Sequence, residues 1–177
     1  MPTHNSISVS EFIQWTLIDS YKGIAENNSY IGFILISGGI EFLGKCLDDN
    51  VEFDYYKTGL THFDDAIKAL FTDTNYRTTA FRDNVRNGFA HALRLKKKSN
   101  MGLASRLRDL NDDERKKNPK NFCSVKNSKK KILFIEDYYD DFKIACEEVL
   151  RKIKNNELKH PKITQPFIIV HNDILDI

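Results

Sequence analysis

The sequence predicts an all-α protein: an up-and-down bundle of about five helices carrying a small basic β-hairpin or loop insertion. Three observations lead there. Apolar residues recur at three- and four-residue spacing through four separate stretches, the period of a helix with one buried face. A further stretch, "YIGFILISGGIEFLGKCL", is apolar nearly all round, as befits a helix in the middle of a bundle. Before the last helical stretch the pattern breaks into a long segment rich in Lys, Arg, Asn and Asp. The chain has 177 residues, 41% of them hydrophobic, enough for one domain with a buried core. That domain is placed at 1–156, with the basic insertion at about 96–131, and 157–177 reads as a C-terminal tail or arm.

Ser10 is positioned to cap a first helix over 11–27, with Phe12, Trp15, Ile18 and Ile24 as its apolar stripe. Asn27-Asn28-Ser29 then has turn chemistry. The apolar helix follows at 30–47. Its Ser37-Gly38-Gly39 is unfavourable inside a helix and implies that a neighbouring helix comes close. Glu41 and Lys45 interrupt its apolar run, and the uninterrupted part, 30–40, is about half of the ~20 residues a membrane span needs. A buried helix of a soluble bundle, with no membrane partner, is therefore expected.

"DDNVEFDYYKTGL" reads as a loop with aromatic anchors. A short third helix is expected at 61–71, with Phe63, Ile67, Leu70 and Phe71 inward. A linker at 72–75 leads to a fourth helix at 76–93. In the basic segment two strand-like runs, 122–126 and 131–135, flank an Asn-Ser turn, which suggests a small hairpin or a mobile loop. Asp137 is placed to cap a last helix reaching 156, with Phe142, Ala145, Cys146, Val149, Leu150 and Ile153 as its stripe. The tail, "HPKITQPFIIVHNDILDI", could pack on this chain or on a partner.

The formal net charge is +2, but it is unevenly spread. Residues 94–131 hold fourteen Lys or Arg against four Asp or Glu, a local net of +10, which leaves −8 on the remainder. The three cysteines, Cys46, Cys123 and Cys146, are odd in number and widely spaced. No Cys-x-x-Cys pair or zinc pattern is present, which points to free thiols in a reducing, cytoplasmic setting and to no metal or cofactor site. Cys46 and Cys146 fall in apolar helical patterns and read as core. The first twelve residues lack the basic start and apolar run of a secretory signal.

The stretch with the strongest chemical content is "FRDNVRNGFAHALRLKKK", 81–98. At about 100° per residue, Phe81, Val85, Phe89 and Ala92 share a core face. Arg86, Asn87, Ala90, His91 and Arg94 fall on the opposite side. Arg86 and His91 stand about 7.5 Å apart along the axis. Asn87 and His91 are i and i+4, close enough for the amide to orient the imidazole. Gly88 either lets another chain approach or marks where the helix tightens or ends. Small residues line this face, where an ordinary solvated helix face carries Glu and Lys, and a basic run begins immediately afterwards.

"RNGFAHAL" resembles the R-x4-6-H motif of HEPN domains, in the form where a polar residue follows the Arg. The surroundings are similar: a buried helix, then "GLTHF", the motif helix, and a final helix "IEDYYDDFKIACEEVL". The resemblance spans 10–156, and the basic insertion is no general feature of that family. It implies an all-α bundle, often a homodimer, and for many members a metal-independent endoribonuclease of defence, toxin–antitoxin or RNA-processing systems. RNA, and a cognate antitoxin protein, would then be partners. Arg86 would be the motif Arg, His91 the motif His and Asn87 the polar residue between them. The residue types suit cleavage by 2′-OH attack on the adjacent phosphate. Imidazole exchanges protons near neutral pH, and a guanidinium holds phosphate oxygens in its planar fork.

Supporting roles follow. Glu41, the lone acid of the most apolar helix, should pair with a buried cation. Arg82, one turn before Arg86, could hold phosphate or bind Glu41. Arg94, Lys96, Lys97 and Lys98 are candidates for RNA phosphates. His62 reads as a packed loop residue rather than a ligand. Only Phe122 interrupts the basic segment with an aromatic ring, so base stacking has little support. The alternative function is a non-catalytic HEPN-like module binding RNA, a nucleotide or a partner protein.

Overall fold

In the computed structural model, which describes residues 5–49, 53, 62–88, 95, 101–117, 122–124, 130–158, 160–164 and 168–170, the chain is mostly helical with two small sheets. Its first helix starts at Ser8 rather than Ser10. Ser8 and Glu11 form a reciprocal capping box, with Glu11 N donating to Ser8 Oγ at 3.2 Å and Ser8 N to Glu11 Oε2 at 2.8 Å. Helix α1 spans 9–27. Its ends, Val9–Glu11 and Tyr21–Asn27, are α-helical, but Phe12–Ser20 is wound as a π-helix. The wider turn rephases the buried face, which comprises Val9, Ile13, Leu17, Ile18 and Ala25. Trp15, expected inward on a 3.6-residue period, is 54% exposed.

Helix α2, Ser29–Leu47, is capped by the Asn28 side chain, which accepts from Ile31 N at 3.2 Å. By length and composition it could cross a membrane, yet half of it is buried inside the protein, against α1, α3 (His62–Leu70) and α7 (Ile135–Lys154). Phe33, Ile36, Ile40, Leu43 and Cys46 supply its core side chains. Two glycines set how closely the neighbours come. A Cβ on Gly39 would stand 2.5 Å from Phe142 Cζ, and one on Gly44 only 1.8 Å from the His62 carbonyl oxygen. Gly38 faces open space, so the close approach expected for Ser37-Gly38-Gly39 occurs at Gly39. Ser37 Oγ donates to Phe33 O at 2.7 Å and lies 3.2 Å from Tyr138 Oη.

The third helix buries Phe63, Ala66, Ile67 and Leu70, with Phe71 just beyond, as its pattern predicts. His62 opens this helix instead of sitting in a loop, and it is packed as expected. The fourth helix starts later than 76. Asp73 accepts from Asn75 N at 2.8 Å and turns Thr74–Arg77 into a 3₁₀ turn. Thr78 then caps helix α4, 79–88, by accepting from Phe81 N at 3.1 Å. The short turn serves the core. Tyr76 is 2% exposed, ringed by Phe71, Phe81, Phe122 and Tyr138, and its hydroxyl donates to Asp141 Oδ2 at 2.6 Å. Burial pushes the Asp141 carboxyl above the usual carboxylate range.

Part of the basic insertion is folded. Strand β4, Lys131–Phe134, pairs antiparallel with β3, Cys123–Ser124, and parallel with β2, Met101–Ala104, a third strand absent from the two-run reading. Two short helices follow β2: α5, Arg106–Asp109, and α6, Asp112–Lys117. The start of α7 fixes α5, and α6 is tied to α5 through Arg115, which donates to the Arg106 and Leu107 carbonyls. Glu136 accepts from Ser105 Oγ at 2.5 Å and from the backbone N–H groups of Arg106 and Leu107 at 2.9 and 3.2 Å. The Arg106 guanidinium lies 4.1 Å over the Phe134 ring and pairs with Asp137. Asp137 is therefore not the cap of α7. The cap position is Phe134, without a side-chain bond, and Asp137 sits in the first turn holding Arg106.

Beyond α7, helix α8, Pro161–Thr164, inserts Ile163 into the core, and β5, Ile168–Val170, pairs antiparallel with β1, Asn5–Ile7. Lys162 is 7% exposed, and its Nζ donates to Asp48 O at 2.7 Å. These residues of the 157–177 segment thus pack on their own chain.

The two glycines of α2 that differ most in surroundings give a paired prediction. Gly44→Ala should destabilise the protein by about 3 kcal/mol or more, because the His62 backbone must move. Gly38→Ala should stabilise it by about 0.5–1 kcal/mol, since it adds helix propensity in open space. Urea unfolding of both variants checks the pair, and equal shifts would refute the close approach.

Candidate functional site

Helix α4 carries Arg86 and Asn87, the start of the "RNGFAHAL" stretch. Its first turn is α-helical, but Arg82–Arg86 is π-wound before the helix continues through Asn87 and Gly88. Single π turns inside helices recur at functional sites. Phe81 and Val85 are 1% and 0% exposed, so the expected core face is inward here, and Asn84 is buried beside it. Arg86 and Asn87 lie on a half-buried flank.

Arg86 reaches α2. Its Nε donates to Glu41 Oε2 and its Nη2 to Glu41 Oε1, both at 3.2 Å, a two-pronged pair. Its Nη1 donates to Asn87 Oδ1 at 3.0 Å, and Asn87 Nδ2 donates to Asp83 Oδ1 at 3.1 Å. Glu41 therefore does pair with a cation, and that cation is Arg86. Arg82 instead stands 3.7 Å from both Asp64 and Asp83. The Asn87 amide meets Arg86 and Asp83. His91, which it was expected to orient, lies outside the described residues, as do Arg94, Lys96, Lys97 and Lys98.

The arrangement fixes a guanidinium before any ligand arrives. The Arg86 side chain is 21% exposed and that of Glu41 29%, so solvent screens the pair and its net worth is modest. Three of the five guanidinium N–H groups are used, which leaves two for a phosphate oxygen. Glu41 also offsets the charge that a phosphate would seek, so an incoming anion must share or displace it.

The basic insertion contributes less free charge than its composition suggests. Arg106 is held by Asp137. Arg108 donates to Ser29 Oγ at 2.6 Å. Arg115 donates to the carbonyls of Arg106 and Leu107 at 2.8 and 2.7 Å and pairs with Asp112. These arginines build the insertion. Cys46 and Cys146 are buried free thiols, as expected, and burial pushes the Cys46 thiol up to about 12. Among the described residues no group of His, Cys, Asp and Glu could hold a metal ion.

Sequence reading missed a cleft of about 330 Å³ beside this network, lined by Asp64, Lys68, Arg77, Thr78, Thr79 and Arg82 among others. Its residues come from α3, the 3₁₀ turn and the start of α4. Arg77 gave no signal because it was read as the second residue of a helix starting at 76, whereas it closes a 3₁₀ turn before α4. Comparison with protein-family models, curated proteins and solved structures gives no match.

The Glu41–Arg86 pair can be measured by a double-mutant cycle in urea, using Glu41→Gln, Arg86→Gln and both together. The expected coupling is about 1 kcal/mol. A coupling indistinguishable from zero would mean that the pair does not hold Arg86 in solution.

Proposed function

We propose that this chain is a HEPN-type, metal-independent endoribonuclease that cleaves RNA by 2′-OH attack, in the role of a defence or toxin effector. The reading is carried by one observation: the motif arginine, Arg86, sits partly exposed on the flank of α4, clamped by Glu41 and Asn87. A cation held in place before the reaction stabilises developing phosphorane charge without reorganising. His91 supplies the general base that takes the 2′-OH proton; as the 2′-oxygen bonds to phosphorus the P–O5′ bond breaks, the 5′-oxygen leaves as a hydroxyl with a proton from water, and the other product ends in a 2′,3′-cyclic phosphate. The chemistry needs no metal or organic cofactor. The proposal includes an up-and-down bundle with the β3–β4 pair as an inserted hairpin, and a homodimer across the small-residue surface of α4, which would bring two Arg–His pairs together. A cognate antitoxin protein and a cytoplasmic setting without a membrane partner complete it.

A second reading has its own support. Glu41 already matches the charge of Arg86, which suits a module that binds RNA, a nucleotide or a partner protein without cleaving.

An RNA cleavage assay separates the two. Cleavage of single-stranded or loop RNA should persist in EDTA. Arg86→Ala and His91→Ala should each lower it by about 10²- to 10⁴-fold with unchanged circular dichroism, and Asn87→Ala should cost less. A folded His91→Ala variant that cleaves like wild type would remove the catalytic reading.

Binding should also weaken steeply with salt. Replacing Lys96, Lys97 and Lys98 by Ala should reduce the slope of log K against log[salt] by about 2 for a single strand. An unchanged slope would place the phosphate contacts elsewhere.

A further inference from the structure

We infer that the cleft between α3, the Thr74–Arg77 turn and the start of α4 is a phosphate-binding site. The inference goes beyond the ribonuclease reading and stands without it. The cleft holds about 330 Å³, at the lower end of the ~300–1,000 Å³ typical of small-molecule sites. It has room for a phosphate and part of the group it esterifies. Its walls carry three cations, Lys68, Arg77 and Arg82, against one carboxylate, Asp64. The floor is rigid, since Ile67 and Tyr76 are 3% and 2% exposed.

The state of the cations decides the ligand's sign. Arg77 Nη2 donates to two neutral carbonyls, Lys68 O at 3.3 Å and Phe71 O at 3.0 Å. These bonds hold the guanidinium without cancelling its charge, and among the described residues no carboxylate pairs with Arg77. Lys68 is exposed, and its ammonium likewise has no ion-pair partner among the described residues. Arg82 forms ion pairs at 3.7 Å with Asp64 and Asp83, too long for hydrogen bonds, so its charge is shared with two carboxylates and Lys68 and Arg77 carry the unmatched charge. Asp64 repels an anion at one wall, and with Asp83 beside Arg82 three cations face two acids, a net +1.

Thr79 adds a hydroxyl. Thr78 is committed to the helix cap and to Asn75 O, at 3.0 Å, so it positions the turn rather than the ligand. Two guanidinium groups, one ammonium and one hydroxyl line the cleft from three elements, donor types that match the oxygens of a phosphate. That phosphate could belong to a free small molecule or to an RNA backbone.

The test is a titration of ¹⁵N-labelled protein with inorganic phosphate at constant ionic strength, with chloride as control, read at the Arg77 and Arg82 Nε–H groups and the Thr79 amide. Saturable shifts confined to these groups are expected. Arg82→Ala should weaken phosphate binding about tenfold or more, with Arg82→Lys between. Thr79→Val keeps the side-chain shape and should weaken it less, which guards against a variant that merely loosens the turn. Unsaturable shifts, shifts centred elsewhere, or unchanged affinity in folded Arg82→Ala would overturn the site.

The phosphate-loaded protein is then challenged with a mononucleotide or with short single-stranded RNA. Displacement by RNA identifies the backbone as the source, and displacement by the mononucleotide alone identifies a small molecule. In the second case the cleft stands while the RNA reading loses ground. RNA binding that ignores Arg82→Ala, in a protein that takes no phosphate here, would sink the cleft and spare the RNA reading.

Discussion

The fold depends on how closely other elements reach the backbone of α2. A helix that is apolar nearly all round stays in water only if neighbours cover it on several sides, and α1, α3 and α7 do so. Gly44 lets the first carbonyl of α3 rest where any side chain would stand. Gly39 admits the Phe142 ring from α7. Close contact at these points sets the angle at which α3 leaves α2. The Tyr76 turn and α4 inherit that angle. The aromatic cluster around Tyr76 then ties α4 to α7 through Tyr138, and the Tyr76 hydroxyl to Asp141 satisfies the polar atom this burial would otherwise strand.

The same helix places the candidate chemistry. Glu41 falls between the two contact glycines, on a side of α2 that α4 reaches. A carboxylate there needs a partner, and α4 offers two arginines one turn apart. On an ideal α-helix Arg82 and Arg86 share a face, and either could pair with Glu41. In the structure Arg86 takes Glu41 with two hydrogen bonds, while Arg82 turns toward α3 and the cleft. Two cations one turn apart thus meet different acids, Arg86 with Glu41 on α2 and Arg82 with Asp64 on α3 at the edge of the cleft.

What was legible in the sequence follows the range of the interactions concerned. The stripes of α3 and α7 were readable because they are regular α-helices with one buried face, and Phe63, Ile67, Phe142 and Val149 all point inward. The cap of α1 was misassigned to Ser10, although Ser8 with Glu11 three residues on carries the capping-box pattern. The π winding of 12–20 and 82–86 leaves no composition signature, so Trp15 was assigned inward and Arg82 left undecided. Asp137 looked like a cap because its partner, Arg106, is 31 residues away. The parallel strand β2 was hidden for the same reason, since its pairing with β4 is non-local. At the site, Arg86, Asn87 and Glu41 were legible as residues, but not the pairing among them. The cleft was not, because Lys68, Arg77 and Arg82 converge only once the turn at Tyr76 has formed.

The uneven charge of the chain takes on a different meaning once its pairs are placed. A segment with net +10 invites assignment as the nucleic-acid surface. Yet Arg106 pairs with Asp137 and Arg115 with Asp112, while Arg108 is bound to Ser29. Acidic residues outside the segment, Glu136 and Asp137 at the head of α7, are what fold it. Part of the asymmetry is thus an internal match, with basic insertion and acidic helix start neutralising each other. Around the cleft the logic is reversed. Arg77 is held by carbonyls, and neither it nor Lys68 has a carboxylate partner among the described residues, so their charge remains for a ligand. The number of basic residues in a segment is therefore a weaker guide to anion binding than what each cation already touches.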